Sequence, residues 1–297
     1  MAQHLNAPWK IDRLKTKDGI TIRYGIYAKH PQAVKRFLVF LNGHGEYIEK
    51  YHYLPSDLLK NEEWGFLTWD HRGQGESEGL PRLHITTYEE LASDAGELVS
   101  KIVEDKPYMA IAHSMGGLIS LYATMKGYIK PRKLVISAPL LGVKNPIPPS
   151  VARIMAKTAA KLGMNKAYFQ KNMAKKKFEN NLFTYSQERF EARYQSPYQI
   201  EGITFGWIAS TLDAIDFVNQ PSNLAQLETR TKILVGDDER LVDPVAIRQW
   251  VDKAQRKSRA KVTYIEMPQT RHEIFNEAPA GYNYAIQLSR KYMDQIV

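Results

Sequence analysis

A five-residue apolar run, Tyr108-Met109-Ala110-Ile111-Ala112, gives way to a helical stretch from Gly117 to Ala123, and the junction reads Ala112-His113-Ser114-Met115-Gly116. A serine at a strand-to-helix junction of this kind occupies a turn so tight that its backbone is strained. Small residues two positions away on either side keep strand and helix from colliding. Such a turn, a nucleophile elbow, lifts a hydroxyl above the end of a strand. The usual pattern begins with glycine, and Ala112 is one methyl group larger. An ordinary serine in a glycine-rich turn would look the same locally, so the rest of the chain has to discriminate.

The flanking sequence alternates strand and helix signals. Residues 20–27 alternate apolar and polar, as a strand with one wet face does. The runs 37–41, 65–69, 108–112, 133–137, 232–235 and 261–265 read as further strands, and the continuously apolar ones suit burial on both faces. Residues 89–103 place Leu91, Ala95, Leu98 and Ile102 on one helical face. Buried strands joined through helices predict an α/β fold with a mostly parallel central sheet covered on both faces. The rhythm breaks between Pro139 and about Pro221. There Val151, Ile154, Thr158 and Leu162 fall at helical spacing, with Arg153, Lys157 and Lys161 on another face, and a second basic, Asn-rich helical stretch follows. The expected organisation is a core of residues 1–139 and 221–297 with a helical cap inserted at 140–220.

Charge is concentrated in that insertion. The 297 residues carry a formal net charge of +9. Between Leu141 and Asn180, nine lysines and arginines (Lys144, Arg153, Lys157, Lys161, Lys166, Lys171, Lys175, Lys176, Lys177) face Glu179 alone. There is no cysteine, which excludes disulfides, thiolate metal sites and a cysteine nucleophile. No apolar run approaches the roughly 20 residues of a membrane span, and residues 1–10 carry no secretory signal. The expectation is a soluble, cytoplasmic chain.

Acyl transfer by serine needs a base in reach of the hydroxyl, an acid to orient that base, and donors for the developing oxyanion. Of eight histidines, only His272 follows the last expected strand. His113 precedes the serine on its strand and reads as a packing residue, and His71 and His84 read as loop residues. Asp237, Asp238, Glu239 and Asp243 all follow the 232–235 strand and compete for the acid. Glu239, the third residue after Gly236, is favoured by spacing, with Asp238 the main alternative. The oxyanion donors would be the N–H groups of Met115 and of His44, in the loop Asn42-Gly43-His44-Gly45-Glu46. The Gly73-Gln74-Gly75 stretch lacks the lysine and spacing of a nucleotide-binding loop. This chemistry asks for no cofactor and no metal.

Asn42-Gly43-His44-Gly45-Glu46, Asp70-His71-Arg72-Gly73-Gln74-Gly75-Glu76-Ser77, His113-Ser114-Met115-Gly116-Gly117 and Glu239-Arg240-Leu241-Val242-Asp243 together resemble the α/β-hydrolases of the monoacylglycerol lipase and bacterial lysophospholipase group. The resemblance runs in order from about residue 10 to the C-terminus. Tyr185-Ser186-Gln187-Glu188-Arg189-Phe190 and Thr204-Phe205-Gly206-Trp207 are also similar to the bacterial lysophospholipases. It implies the α/β-hydrolase fold, a Ser114–Glu239–His272 triad, oxyanion donors on His44 and Met115, and an acyl-enzyme route for a lipid ester. Asn42 stands where many relatives have histidine. Glu239 replaces the aspartate of monoacylglycerol lipases and matches the lysophospholipases, which favours the latter. A general carboxylesterase of small esters, or a ligand-binding module that has lost catalysis, are the alternatives. The basic insertion could attract an anionic lipid surface at the inner membrane face or be an ordinary solvated lid. It lacks the aromatic platform expected for nucleic acid.

Overall fold

The computed structural model describes residues 7–144, 147–171 and 177–294; residues 1–6, together with Pro146, Lys175 and Lys176 of the expected insertion, lie outside them. Ten strands are found among the described residues: β1 (Trp9–Lys15), β2 (Thr21–Tyr27), β3 (Arg36–Leu41), β4 (Trp64–Trp69), β5 (Tyr108–His113), β6 (Lys133–Ser137), β7 (Tyr168–Lys171), β8 (Gly202–Thr204), β9 (Arg230–Gly236) and β10 (Val262–Met267). Eight of them form one sheet in the order β1-β2-β4-β3-β5-β6-β9-β10. The pairs β1–β2 and β2–β4 are antiparallel, and every pairing from β4 to β10 is parallel. Edge strand β1 was not expected from the sequence. Its Trp9 and Ile11 alternate, but Arg13, Leu14 and Lys15 break the period.

The continuous apolar runs are explained by two cores, one on each face of the sheet. Successive residues of a strand point to opposite faces. Phe37, Val39 and Leu41 of β3 join one core with Ala110 and Ala112 of β5, while Leu38 and Phe40 join the other with Met109 and Ile111. The first core is closed by helices Tyr88–Leu98, Met115–Lys126 and Pro244–Lys257. The second is closed by Leu54–Leu58 and Pro279–Met293. Phe40 sits at its centre, stacked near Phe66 and edge-on to Phe275.

Among the described residues, the segment between β6 and β9 holds no strand of the large sheet. It contains the helices Pro149–Lys161, Gln187–Gln195 and Phe205–Asn219 and the two-stranded antiparallel pair β7–β8. One expectation for it needs correction. Of the stretch expected to form a second basic helix, residues 172–176 lie outside the described residues, and the described part before them is strand β7, where Phe169 packs edge-on against Phe205; adjacent aromatic residues suit a strand. The amphipathic helix is present at 149–161, but its large apolar residues face outward. Ile154 is 65% and Leu162 69% exposed, Val151 and Met155 are also exposed, and only Ala156 and Ala159 are buried. The small alanine face lets this helix lie close against Phe205–Asn219. Arg153 also leaves the expected basic face and pairs with Asp213 and Asp216 of that helix. Among the described residues, no helix is long and apolar enough to cross a membrane.

Candidate active site

The elbow forms where β5 ends. Ser114 has φ 51° and ψ −113°, a conformation of the kind that costs a non-glycine residue roughly 1–3 kcal/mol and is held only by its surroundings. Those surroundings are visible. Ser114 N–H donates to Ser137 O at 3.0 Å, while Ser114 O accepts from Gly117 and Leu118 in the helix and from Leu140 across it. Gly116 has no room for a side chain, since a Cβ would lie 2.3 Å from Leu41 O and 2.4 Å from Asn42 O. At Gly117 a Cβ would fall 2.4 Å from Ile136 Cγ2. Ala112 is wholly buried in the sheet with its methyl accommodated.

The same approach puts the loop after β3 beside the serine. In that loop Gly43 N–H donates to Glu46 Oε2 and Gly45 N–H to Gln74 Oε1 at 2.6 Å. The N–H of His44 lies between them and, like that of Met115 at the first turn of the helix, finds no protein partner among the described residues. The Asp70–Ser77 stretch supports this loop from below. His71 lies in the loop after β4, as expected, and is buried there; it accepts from Trp69 Nε1 on Nδ1 and so donates from Nε2 to Asn42 O at 3.1 Å. Asn42 donates in turn to Trp69 O. Asp70 accepts from Ile48 N–H, Glu76 N–H and Arg23. Burial pushes its carboxyl up to about 6 despite the Arg23 charge beside it. Gly75, at φ +48°, is required because a Cβ there would sit 2.1 Å from Asp70 Oδ2.

His272 lies in the loop after β10, with Nε2 3.0 Å from Ser114 Oγ and Nδ1 2.9 Å from Glu239 Oε2. The other Glu239 oxygen accepts from Leu241 and Val242 N–H, at 2.7 and 3.1 Å. The neighbouring carboxylates are engaged elsewhere. Asp237 accepts from Gln269 and Thr270 N–H, Asp238 pairs with Arg240, Arg271 and Tyr185, and Asp243 caps the Pro244–Lys257 helix through Val245 N–H. Glu239 is thus the carboxylate that meets His272, and Asp238 does not. Three carboxylates in a row look alike in sequence; the turn after β9 decides which one faces inward.

Burial acts on the histidines in a way that separates their roles. Desolvation pulls His44, His71 and His113 down to about 4, so each is neutral. On His272 the same penalty is outweighed by Glu239, with Glu273 and Glu46 adding to it, and the imidazole is raised above its ordinary 6.5. Glu239 is correspondingly held below its usual range, because His272 and the two backbone donors outweigh its burial. His113 bonds Ser137 Oγ at 2.9 Å and packs its ring 4.8 Å from that of His272. A buried ion cluster that no sequence motif marks lies beneath these groups, formed by Glu46, Lys50, Glu273 and Arg193. A glutamate directly after His272 is its only sequence signal. No group of three or more metal-ligating side chains is found among the described residues.

A family model described as "Serine aminopeptidase, S33" (Hydrolase_4) matches residues 32–279. The chain is 26% identical to "Probable lysophospholipase L2" of Haemophilus influenzae over 244 residues, 77% of this chain and 76% of that one. It is 23% identical to "Phospholipase YtpA" of Bacillus subtilis over 273 residues, 91% and 98% of the two chains. Its fold matches that of a soluble variant of monoglyceride lipase from Saccharomyces cerevisiae, with a TM-score of 0.77, 18% identity and coverage of 98% and 97%. The mostly parallel eight-stranded sheet wrapped by helices is therefore the α/β-hydrolase fold.

The close approach at Gly116 yields a prediction. Gly116→Ala must push the helix away from the Leu41 and Asn42 carbonyls, separating the Met115 and His44 N–H groups. Turnover of a p-nitrophenyl ester should fall by about 10²-fold or more, as when an oxyanion donor is lost. Steady-state kinetics on the folded variant measure it.

Proposed function

Because this chain belongs to the serine aminopeptidase S33 family of hydrolases, we propose that it is a serine hydrolase cleaving lipid carboxylic esters through an acyl-enzyme, most closely a lysophospholipase or monoacylglycerol lipase in activity. The observation that carries the reading is the buried relay Ser114 Oγ–His272 Nε2–His272 Nδ1–Glu239, at 3.0 and 2.9 Å. The relatives named lysophospholipase and phospholipase support an ester as the bond broken.

In this mechanism His272 carries its proton on Nδ1, donated to Glu239, and Nε2 is free to accept. Ser114 Oγ attacks the ester carbonyl as its proton passes to His272 Nε2. The His44 and Met115 N–H groups hold the resulting oxyanion, and Glu239 stabilises the imidazolium. Collapse expels the alcohol, which takes the proton from Nε2 and leaves the acyl group on Ser114. Water then attacks the acyl carbon as its proton passes to His272 Nε2; collapse breaks the bond to Ser114 Oγ, which takes that proton back, and the acid departs. Because both N–H groups are fixed in place before reaction, no reorganisation is needed in the transition state.

Residues 140–220 act as the cap in this reading. The support is that their side chains and backbone meet both site loops: His44 Nε2 bonds Gly202 O at 2.8 Å, Arg193 bonds Glu273, and Tyr185 bonds Asp238. The outward face of the 149–161 helix is the part that docks on an anionic lipid surface. Val151, Ile154, Met155 and Leu162 are exposed beside Lys157 and Lys161. Apolar insertion with basic flanks is how interfacial helices bind, each lysine adding about 1 kcal/mol near an anionic surface.

Ser114→Ala should abolish hydrolysis of p-nitrophenyl acyl esters, by about 10⁴-fold or more. Glu239→Gln should cost about 10⁴-fold through loss of the correct tautomer, while Asp238→Asn changes kcat/KM little; equal effects would move the acid to Asp238. A comparison of lysophosphatidylcholine, monoacylglycerol and an aminoacyl p-nitroanilide identifies the substrate class, and preference for the anilide would overturn the ester reading.

The pH profile follows from the raised His272. The imidazolium cannot accept the Ser114 proton, so kcat/KM is lost as pH falls through the His272 value. The acid limb should lie above pH 6.5. Flotation with vesicles tests the cap face. Ile154→Asp with Leu162→Asp should abolish binding to anionic vesicles at low salt while leaving turnover of a short soluble ester intact, and equal binding by the wild type to zwitterionic vesicles would remove the role of the lysines.

A further inference from the structure

Beneath the relay lies a set of charges that the mechanism above does not use. Lys50 Nζ is 2.7 Å from Glu46 Oε1 and 2.7 Å from Glu273 Oε1, with all three side chains about 95% removed from solvent. Arg193 Nη1 is 2.9 Å from the same Glu273 Oε1, and its side chain is only 9% exposed. Asn276 Nδ2 occupies Glu273 Oε2 at 2.8 Å. Glu46 reaches the oxyanion loop through Gly43 N–H and accepts from Tyr51 OH. Glu201 flanks Arg193 at 3.6 Å, and the guanidinium lies 4.1 Å above the Phe183 ring. Three separate stretches of chain therefore share one buried ion cluster. The loop after β3 supplies Glu46, the loop after β10 supplies Glu273, and the Gln187–Gln195 helix supplies Arg193.

A cluster of this sort is costly to bury and depends on complete pairing, since removing one partner leaves an uncompensated charge inside. Glu46 and Glu273 need both cations. Lys50 belongs to the core beside them, whereas Arg193 arrives from the segment between β6 and β9. We propose that Arg193 is a positioning residue for the reaction: from that segment it neutralises and orients Glu273 and, through Lys50 and Glu46, holds the His272 loop and the oxyanion loop in register. This rests on the reading of His272 as the base. It makes the seating of the inserted segment a condition for an organised site, because the last cation of the cluster comes with it.

The charges around His272 give the test its sign. Glu239 faces its Nδ1, Ser114 its Nε2, and His113 its ring; Glu273 and Glu46 act on it from below, with Lys50 and Arg193 behind those carboxylates. Loss of the Arg193 charge leaves Glu273 and Glu46 less compensated. That stabilises the imidazolium, so a higher pH is needed to free the base.

The experiment compares Arg193→Met and Arg193→Lys in the full chain, with folding checked by thermal melting and activity followed on a short p-nitrophenyl ester across pH. In Arg193→Met the acid limb of kcat/KM should move up by about half a unit or more. Its kcat should drop roughly tenfold with KM little changed, as expected when only transition-state stabilisation is lost. Arg193→Lys keeps the charge and should return the limb to the wild-type position. A folded Arg193→Met with an unmoved limb overturns the proposal, as does a limb shift that Arg193→Lys fails to reverse. If Arg193→Met does not fold, Glu201→Gln reads the same cluster with the opposite sign. Its limb should move down by about a few tenths of a unit, and an unmoved limb there overturns the proposal. Ser114→Ala separates the two levels: activity surviving that change would sink the relay itself, whereas a silent relay in Ser114→Ala with an unmoved limb in Arg193→Met sinks only the role of Arg193.

Discussion

The site depends on one close approach. The helix that begins at Met115 packs so tightly on the end of β3 that Gly116 lies against the carbonyls of Leu41 and Asn42, with no space for a Cβ. That contact sets three things together. It forces Ser114 into its strained turn, brings the first helical N–H beside the loop that carries His44, and fixes the hydroxyl above the parallel strand ends. Much of the nearby polar network serves to hold this loop in place. His71 and Asn42 tie its start to β4, Gln74 and Glu46 tie down the amides on either side of His44, and Asp70 anchors the turn that presents Gln74.

Electrostatics then separate groups of identical chemistry. Four histidines lie in or near the site, and three are kept neutral by burial at about 4. Only His272 faces a carboxylate at hydrogen-bond distance, and only its basicity is raised. The difference is a matter of partners, because all four are desolvated. A low dielectric strengthens whichever interaction is present: an imidazole bonded only to neutral groups is left neutral, and one facing a carboxylate holds a second proton to higher pH. The cost of burying Glu239 is offset by two backbone donors and the imidazole.

The segment between β6 and β9 shows where periodicity misleads. Val151, Ile154 and Leu162 recur at helical spacing, which ordinarily marks the face turned to the core. In the structure that face is exposed, and the helix packs through Ala156 and Ala159 instead. Two small residues permit a close helix crossing, and the larger aliphatic residues are left exposed. Tyr168 and Phe169 likewise sit among lysines yet form a strand, because β8 is there to pair with them.

Read along the chain, the alternation of apolar runs and helical faces was enough to determine a mostly parallel sheet, and the glycines around Ser114 marked the elbow. Both are local signals, since a strand buried on two faces must be apolar throughout and a helix starting at a tight turn must begin with small residues. The order of serine, acid and histidine was legible for the same reason, each following a strand. Spacing favoured Glu239 over Asp238 without deciding between them, because adjacent carboxylates have the same chemistry and differ only in the direction a turn gives them. The cluster of Glu46, Lys50, Glu273 and Arg193 was not legible, because its members come from three separate stretches of chain. Ion pairing has no sequence period. It is decided by which side chains the folded backbone brings within about 3 Å and removes from water together.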